Sequence, residues 1–341
     1  MEGINVQFRR KKNPLPSLDI LFKGICNGDT VLLSRAITLL ESNVATDRLL
    51  AQQLLEKCLT EKRQISPTCR IGITGVPGAG KSTLIESLGL KLCAAQKKIA
   101  VLAIDPSSAR TGGSILGDKT RMMQLALEPN AFIRPTPGGT TLGGVARATG
   151  DAIILLETAG FDYIIVETIG VGQSEVKVHA LTDIFLLLLL PNAGDEVQGI
   201  KRGIVEMADI VVVNKADGDF LAAATQAQNF YRHALHLFPT KIKNWVVPVL
   251  TCSAQNNLGV DTVLDTIVKF FEFKKSNGIL LENRKQQSEQ WFLETVELAL
   301  RNDFFSNETL KQNFNLFKTN VVAGLISPFE AAEKLMALYK K

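Results

Sequence analysis

Residues 70–83 read RIGITGVPGAGKST, and this stretch decides the fold. An apolar run, Arg70–Thr74, leads into Gly75, Val76, Pro77, Gly78, Ala79, Gly80, Lys81, Ser82 and Thr83. A helical stretch, Lys81–Ala95, follows directly. The spacing is GxxxxGK[ST] between a strand and a helix, the setting in which that motif cradles phosphate. Glycines let backbone N–H groups turn inward around phosphate oxygens, and the helix N-terminus adds its partial positive charge. Lys81 is placed to reach the β- and γ-phosphates of a nucleotide, and the Ser82 hydroxyl to bind Mg²⁺.

Outward from this loop, short apolar runs alternate with helical stretches. The runs read as strands are Arg70–Thr74, Ile99–Asp105, Ala131–Arg134, Asp162–Glu167, Thr182–Leu190, Asp209–Asn214 and Trp245–Thr251. Helices fit between them at Lys81–Ala95, Gly144–Glu157, Val197–Met207, Phe220–Leu237 and Val260–Phe273. Such alternation, with near-continuous apolar strands, predicts an α/β fold: a mainly parallel sheet covered by helices on both faces. Function in such a sheet sits at the carboxyl ends of the strands. Residues 1–68 read as an N-terminal helical extension with helices at Leu18–Cys26, Val31–Leu40 and Thr46–Leu59. In the third, Leu50, Leu54 and Cys58 recur on one face. The nucleotide-binding domain is expected over 69–276, with Lys274–Gly278 as a linker. A C-terminal helical arm is expected over 277–341, where Trp291, Leu298 and Phe305 repeat every seventh residue. That much apolar surface outside the sheet needs a packing partner, either the core or a second subunit.

Composition narrows the class. A chain of 341 residues with 46% hydrophobic side chains buries about three quarters of its unfolded surface, which excludes disorder as the dominant state. Lys and Arg number 38 against 34 Asp and Glu, a net charge of +4, too even to argue for nucleic acid. Five cysteines, Cys26, Cys58, Cys69, Cys93 and Cys252, lie singly with no CxxC pair, the pattern of reduced cytoplasmic thiols. The start carries no apolar segment after its basic residues, so secretion is not expected. The run Ile184–Leu190 is far shorter than the ~20 residues that span a bilayer, so it reads as a buried strand and the protein as soluble.

The base is read further on. The apolar run Ile210–Val213 enters Asn214, Lys215, Ala216 and Asp217, the NKxD pattern that reads guanine. A carboxylate at Asp217 can accept from both the ring N–H and the exocyclic amine of guanine, a donor pair that adenine lacks. Lys215 would lay its stem along the base, and Asn214 would tie loops together. The next strand ends at a Ser253–Ala254 turn, the second guanine contact. GTP is therefore expected over ATP. Three acids end or follow strands near the phosphate position: Asp105, Asp118 and Glu167. They are candidates to organise Mg²⁺ and water, with Asp118 equally readable as a solvated loop residue. Glu167 opens Glu167–Thr168–Ile169–Gly170, where the Gly170 N–H would meet the γ-phosphate. The loop Pro191–Glu196 reads either as a segment that responds to the nucleotide or as an acidic cap on the helix from Val197.

Taken together, the stretches GVPGAGKSTLIE, AIDPSSARTGGSILGDKTRM, TLGGVARAT, ETIGVGQSE, AGDEVQGIKRGIVEMADI and NKAD closely resemble the MeaB/ArgK family of SIMIBI-class P-loop GTPases. The likeness spans nearly the whole chain, including the RAITLLES segment and the Trp291 helix. It implies a homodimeric, Mg²⁺-dependent GTPase using GTP and GDP. It implies a chaperone of adenosylcobalamin-dependent acyl-CoA mutases, above all methylmalonyl-CoA mutase, that gates cofactor loading and protects the enzyme. No cobalamin is expected on the chain itself, nor nucleic acid or membrane as a partner. Carried over by position, Lys81 and Ser82 serve phosphate and metal, Asp105, Asp118 and Glu167 serve metal and water, and Asp217 reads guanine. The loop holding Gly194, Asp195, Glu196, Gln198, Lys201 and Arg202 matches the family's third switch, which senses the mutase, with Lys201 as a catalytic cation. Asn192 stands where glycine is common, and Pro137–Thr140 replaces a more serine-rich turn. Two alternatives share this fold. A metallochaperone GTPase would need a His/Cys cluster, against only three histidines, His179, His233 and His236, with no cysteine nearby in sequence. An arginine/ornithine transport kinase would deliver phosphate to a small acceptor.

Overall fold

In the computed structural model, which describes residues 16–42, 44–61, 67–105, 122–137, 142–168, 174–191 and 202–340, the apolar runs become a parallel sheet. Among the described residues its strands are β1 (Cys69–Gly75), β2 (Ile99–Asp105), β3 (Ala131–Pro137), β4 (Tyr163–Thr168), β5 (Ile184–Leu189), β6 (Ile210–Val213) and β7 (Val249–Thr251). They lie in the order β3-β2-β4-β1-β5-β6-β7, and all six pairings are parallel. Parallel neighbours need crossovers, and the described helices between strands are α4 (Lys81–Ala94), α5 (Leu142–Thr158), α6 (Ser174–His179), α7 (Arg202–Met207) and α8 (Leu221–His236), with α9 (Val260–Ser276) after β7.

Side chains alternate across each strand, so both faces can be apolar only if both are covered. On β4, Ile165 joins Leu84, Leu88 and Phe270 on one face, while Ile164 and Val166 join Leu156 and Leu54 on the other. On β5, Leu186 and Leu188 share the first cluster, and Leu187 and Leu189 pack with Ala224 and Tyr231 of α8. The leucine-rich run is thus an interior strand, buried along its whole length. Among the described residues no helix is long and apolar enough to cross a membrane.

The N-terminal helices α1 (Leu18–Cys26), α2 (Thr30–Leu40) and α3 (Ala45–Thr60) share one apolar cluster with α5 and with Ala100 and Leu102 of β2. The Asp29 carboxylate starts α2 by accepting from Val31 N at 2.9 Å and Leu32 N at 3.0 Å. Arg134 of edge strand β3 donates to Glu41 Oε2 at 2.7 Å and to Ser34 and Thr38 hydroxyls at 3.2 Å, so α2 covers that edge. On α3, Leu54 and Cys58 are fully buried, but Leu50 is 38% exposed and Ala51 takes the inner position. An i, i+4, i+8 row drifts by about 40° per step, which turns its first member outward. Leu54→Ala should cost about 2–5 kcal/mol in urea unfolding, within the same transition as the sheet. A separate early transition would mean that these helices do not share the sheet's core.

Three expectations shift. β7 begins at Val249 rather than Trp245, because residues before it are used in side-chain packing. The Trp245 ring lies 4.4 Å from Phe270 and 5.7 Å from Phe273, and its Nε1 donates to Asp209 O at 3.2 Å. The polar run from Lys274 is no linker: α9 continues to Ser276. Lys274 is buried there, its Nζ donating to Asp183 O at 2.6 Å. Of the helix expected over Val197–Met207, Arg202–Met207 is described. The chain divides into two compact units, the second from Leu281 to the end. Helices α10 (Ile279–Ser306), α11 (Glu308–Val322) and α12 (Pro328–Tyr339) complete the chain. Asn307 and Ser327 cap the last two, and Leu310, Ala331 and Leu335 are buried. Phe292, Leu293, Val296 and Leu300 of α10 are exposed.

Candidate functional site

The carboxyl ends of β1, β4, β5 and β6 meet where strand order reverses about β1, the crevice in which such sheets bind ligands. The loop after β1 bends sharply, and two glycines make this possible. A Cβ on Gly75 would lie 2.2 Å from Leu188 O, and one on Gly80, at φ +89°, would lie 2.5 Å from Asn214 Nδ2. Between them the loop closes with Ala79 N donating to Val76 O at 3.2 Å. Gly80 caps α4, so the helix's first N–H groups face the loop. Lys81 is buried, 8% exposed, and its Nζ donates to Gly75 O at 2.8 Å and Val76 O at 3.3 Å. Pro77 and Thr83 are exposed, and Ala79 is buried.

The next residue turns toward the neighbouring strand. Ser82 Oγ donates to Glu167 Oε1 at 3.0 Å. Glu167 is buried near the end of β4. Beside it Thr168 Oγ1 donates to Thr74 Oγ1 at 2.9 Å, a buried link that fixes the ends of β4 and β1. The β2 backbone reaches the same edge, since Ala103 pairs with Glu167 and Ile104 with Thr168. Asp105 ends that strand, though its side chain lies outside the described residues. Asp118, Gly170, Gly194, Asp195, Glu196, Gln198 and Lys201 lie outside them too, as does the side chain of Arg202. For a Mg²⁺ ion the donor chemistry fits. A hydroxyl and a carboxylate are hard oxygen donors, the kind that Mg²⁺ takes. Among the described residues nothing lies within 4 Å of a Cβ built on Gly78.

The segment Asn214–Asp217, expected to read guanine, is tied to the glycine-rich loop after β1 through the Asn214 side chain. Asn214, 2% exposed, donates from Nδ2 to Ala79 O at 2.7 Å. Its Oδ1 accepts from Ala254 N at 3.0 Å and from the Cys252 thiol at 3.4 Å. Burial pushes the Cys252 thiol up to about 12, so it keeps its proton and acts as a donor. Ser87 of α4 donates to Ala254 O at 2.8 Å, a second tie between the two loops. Lys215 is exposed in the left-handed region at φ +57°, which keeps its stem at the rim. Half-buried Asp217 accepts on Oδ2 from Ser253 Oγ at 2.6 Å and from Asn256 Nδ2. Ser253 and Leu258 exchange backbone hydrogen bonds of 2.9 and 3.1 Å, closing the loop that brings Asn256 back. The structure therefore brings Lys81, Ser82 and Glu167 together at one end and Asn214, Asp217, Ser253 and Ala254 at the other. Sequence reasoning missed Ser87, Cys252 and Asn256, whose contacts arise only when separate strands converge.

The sequence model of the family described as Methylmalonyl Co-A mutase-associated GTPase MeaB matches residues 33–309. The chain belongs to the MeaB family. It is 42% identical over 330 residues to the mitochondrial methylmalonic aciduria type A homolog of Mus musculus, covering 95% of this chain and 80% of that one. It is 41% identical over 301 residues to the GTPase ArgK of Escherichia coli, covering 88% and 90%. A crystal structure described as LAO/AO transport system kinase superposes with a TM-score of 0.76 at 34% identity, covering 95% of this chain and 98% of the other. This MeaB family member is a GTPase of the P-loop fold, and guanine nucleotide is its substrate.

Proposed function

We propose that this MeaB family member is a cytoplasmic, Mg²⁺-dependent GTPase that acts as chaperone of an adenosylcobalamin-dependent acyl-CoA mutase, methylmalonyl-CoA mutase in the first instance. It gates cofactor loading and protects the enzyme. The observation that carries the reading is the match over residues 33–309 to a family described by its association with that mutase. The relative named for methylmalonic aciduria supports it. In this reading Asp217 accepts from guanine, Lys215 covers the base, and the backbone from Gly75 to Thr83 with Lys81 holds the phosphates. Ser82 and Glu167, with Asp105 and Asp118, would hold Mg²⁺, which would neutralise phosphate charge. Gly170 donates to the γ-phosphate. The loop with Gly194, Asp195, Glu196, Gln198 and Arg202 senses the mutase, and its Lys201 supplies a cation to the departing phosphate. The exposed apolar residues of α10 support a homodimer formed through the C-terminal helices.

The description of the superposed structure as a transport system kinase favours one competitor, an arginine/ornithine transport kinase. A metallochaperone is less well supported. His179 packs edge-on against Phe185 at 5.4 Å, and among the described residues no group of three His, Cys, Asp or Glu side chains is placed to hold a metal ion. The test is phosphate release from GTP with the mutase, with L-arginine and with neither, followed by chromatography for a phosphorylated amino acid. The proposal expects several-fold stimulation by the mutase, GDP and free phosphate as the only products, and no response to arginine. Phosphoarginine, or a rate indifferent to the mutase, would overturn it.

A further inference from the structure

The Asp217 carboxylate carries more donors than a guanine reader can keep. This inference rests on the proposed role of Asp217. Guanine offers two parallel donors, N1–H and the 2-amino group, and reading both requires one lone pair on each carboxylate oxygen. An ionised carboxylate has about four lone-pair sites, two per oxygen. Oδ2 already accepts two hydrogen bonds, one from Ser253 Oγ at 2.6 Å and one from the Asn256 amide. A base read by both oxygens must therefore displace one of them.

The two donors differ in how easily they leave. Ser253 is buried, its backbone is locked to Leu258, and its Oγ also accepts from Asn256 N at 3.3 Å. Asn256 is exposed, and its terminal amide donates to Asp217 Oδ2 from the end of a side chain free to turn toward solvent. Rotation of that amide into water costs one hydrogen bond and exchanges it for solvent. Turning Ser253 away would take a buried hydroxyl, 1% exposed, from its acceptor with no water at hand to replace it, which is the dearer option. We propose that Asn256 is a specificity residue that competes with guanine for Asp217 Oδ2, occupying the lone pair that one guanine N–H takes on binding. It lowers affinity for guanine nucleotides and speeds their release, because its amide is at hand to reclaim the oxygen as the base leaves. Base exchange is thereby made easier without weakening the phosphate cradle.

The competition has a direction that a purely supporting contact lacks. If Asn256 merely held Asp217 in place, removing it would weaken guanine binding. As a competitor, its removal strengthens binding. Asn256→Ala should tighten GDP and GTP about three- to tenfold, the worth of one exposed hydrogen bond, mostly through slower dissociation. Binding of ATP, which offers Asp217 no such donor pair, should not change. The measurement uses the full chain: calorimetry for GDP, GTP and ATP, with stopped-flow release of a ribose-labelled fluorescent GDP. Asp217→Ala and the double variant complete a cycle. In the Asp217→Ala background, Asn256→Ala should do nothing. Weaker or unchanged GDP binding in Asn256→Ala, with a large loss in Asp217→Ala, would overturn the competition while leaving Asp217 as the reader. Unchanged binding in Asp217→Ala would instead remove the reading on which the inference rests. Asn256 is exposed, so a folding defect is not expected from its substitution, and equal thermal melting of the variants checks this.

Discussion

Lys81→Ala should weaken GTP binding by about 10²–10³-fold, with the fold intact. The ammonium of Lys81 is buried and already held over the loop by the carbonyls of Gly75 and Val76, at 2.8 and 3.3 Å. Its side chain is already ordered and desolvated, so nucleotide binding exchanges contacts to neutral carbonyls for stronger ones to charged phosphate oxygens. Each hydrogen bond to a charged group contributes about 1.5–3 kcal/mol, and contacts to two phosphates give about 3–5. At about 1.4 kcal/mol per tenfold, that is two to three decades of affinity. Calorimetric titration with GTP measures it, and circular dichroism shows whether the sheet persists. Affinity within twofold of the parent chain would place the phosphates elsewhere.

The tight turn after β1 was readable because its backbone needs glycine at set places, and the structure shows the reason at Gly75 and Gly80, where any Cβ would strike Leu188 O or Asn214. The parallel sheet was readable because burial on both faces leaves strands such as Ile184–Leu189 without polar alternation. What could not be read are contacts made by convergence. Trp245 looks like a strand residue in isolation, yet it packs on Phe270 and Phe273 of α9. Lys274 looks like linker, yet its stem is buried and its ammonium meets Asp183 O, a partner 91 residues away. Local charge patterns carry no record of such distant acceptors. Asn256 is the same case at the site: an asparagine in a polar turn signals a loop, and only closure of that loop by Ser253 and Leu258 aims its amide at Asp217. The N-terminal helices were legible as helices, but their shared core with α5 and β2 follows from packing that no local period encodes.

Asp217→Asn should exchange one nucleotide preference for another. GTP binding should fall about 10²–10³-fold and xanthosine triphosphate should become the better ligand, because a polar site left unpaired rejects the wrong partner strongly. The arrangement around the carboxylate sets how the new amide lies. Ser253 Oγ and Asn256 Nδ2 both donate to Oδ2, so the amide must put its oxygen there, and its NH₂ takes the place of Oδ1. The variant then presents one acceptor and one donor. Guanine, with two donors, faces a donor opposite a donor. Xanthine carries a carbonyl where guanine carries the amine, and it complements the pair. The Ser253 hydrogen bond at 2.6 Å also means that the variant keeps its loop, so the phosphate cradle beyond Asn214 should be unaffected. Competition between GTP and xanthosine triphosphate for a single fluorescent nucleotide, followed by hydrolysis rates for each, reads out the switch. Retained GTP preference in Asp217→Asn would mean that the base is read by a side chain other than Asp217.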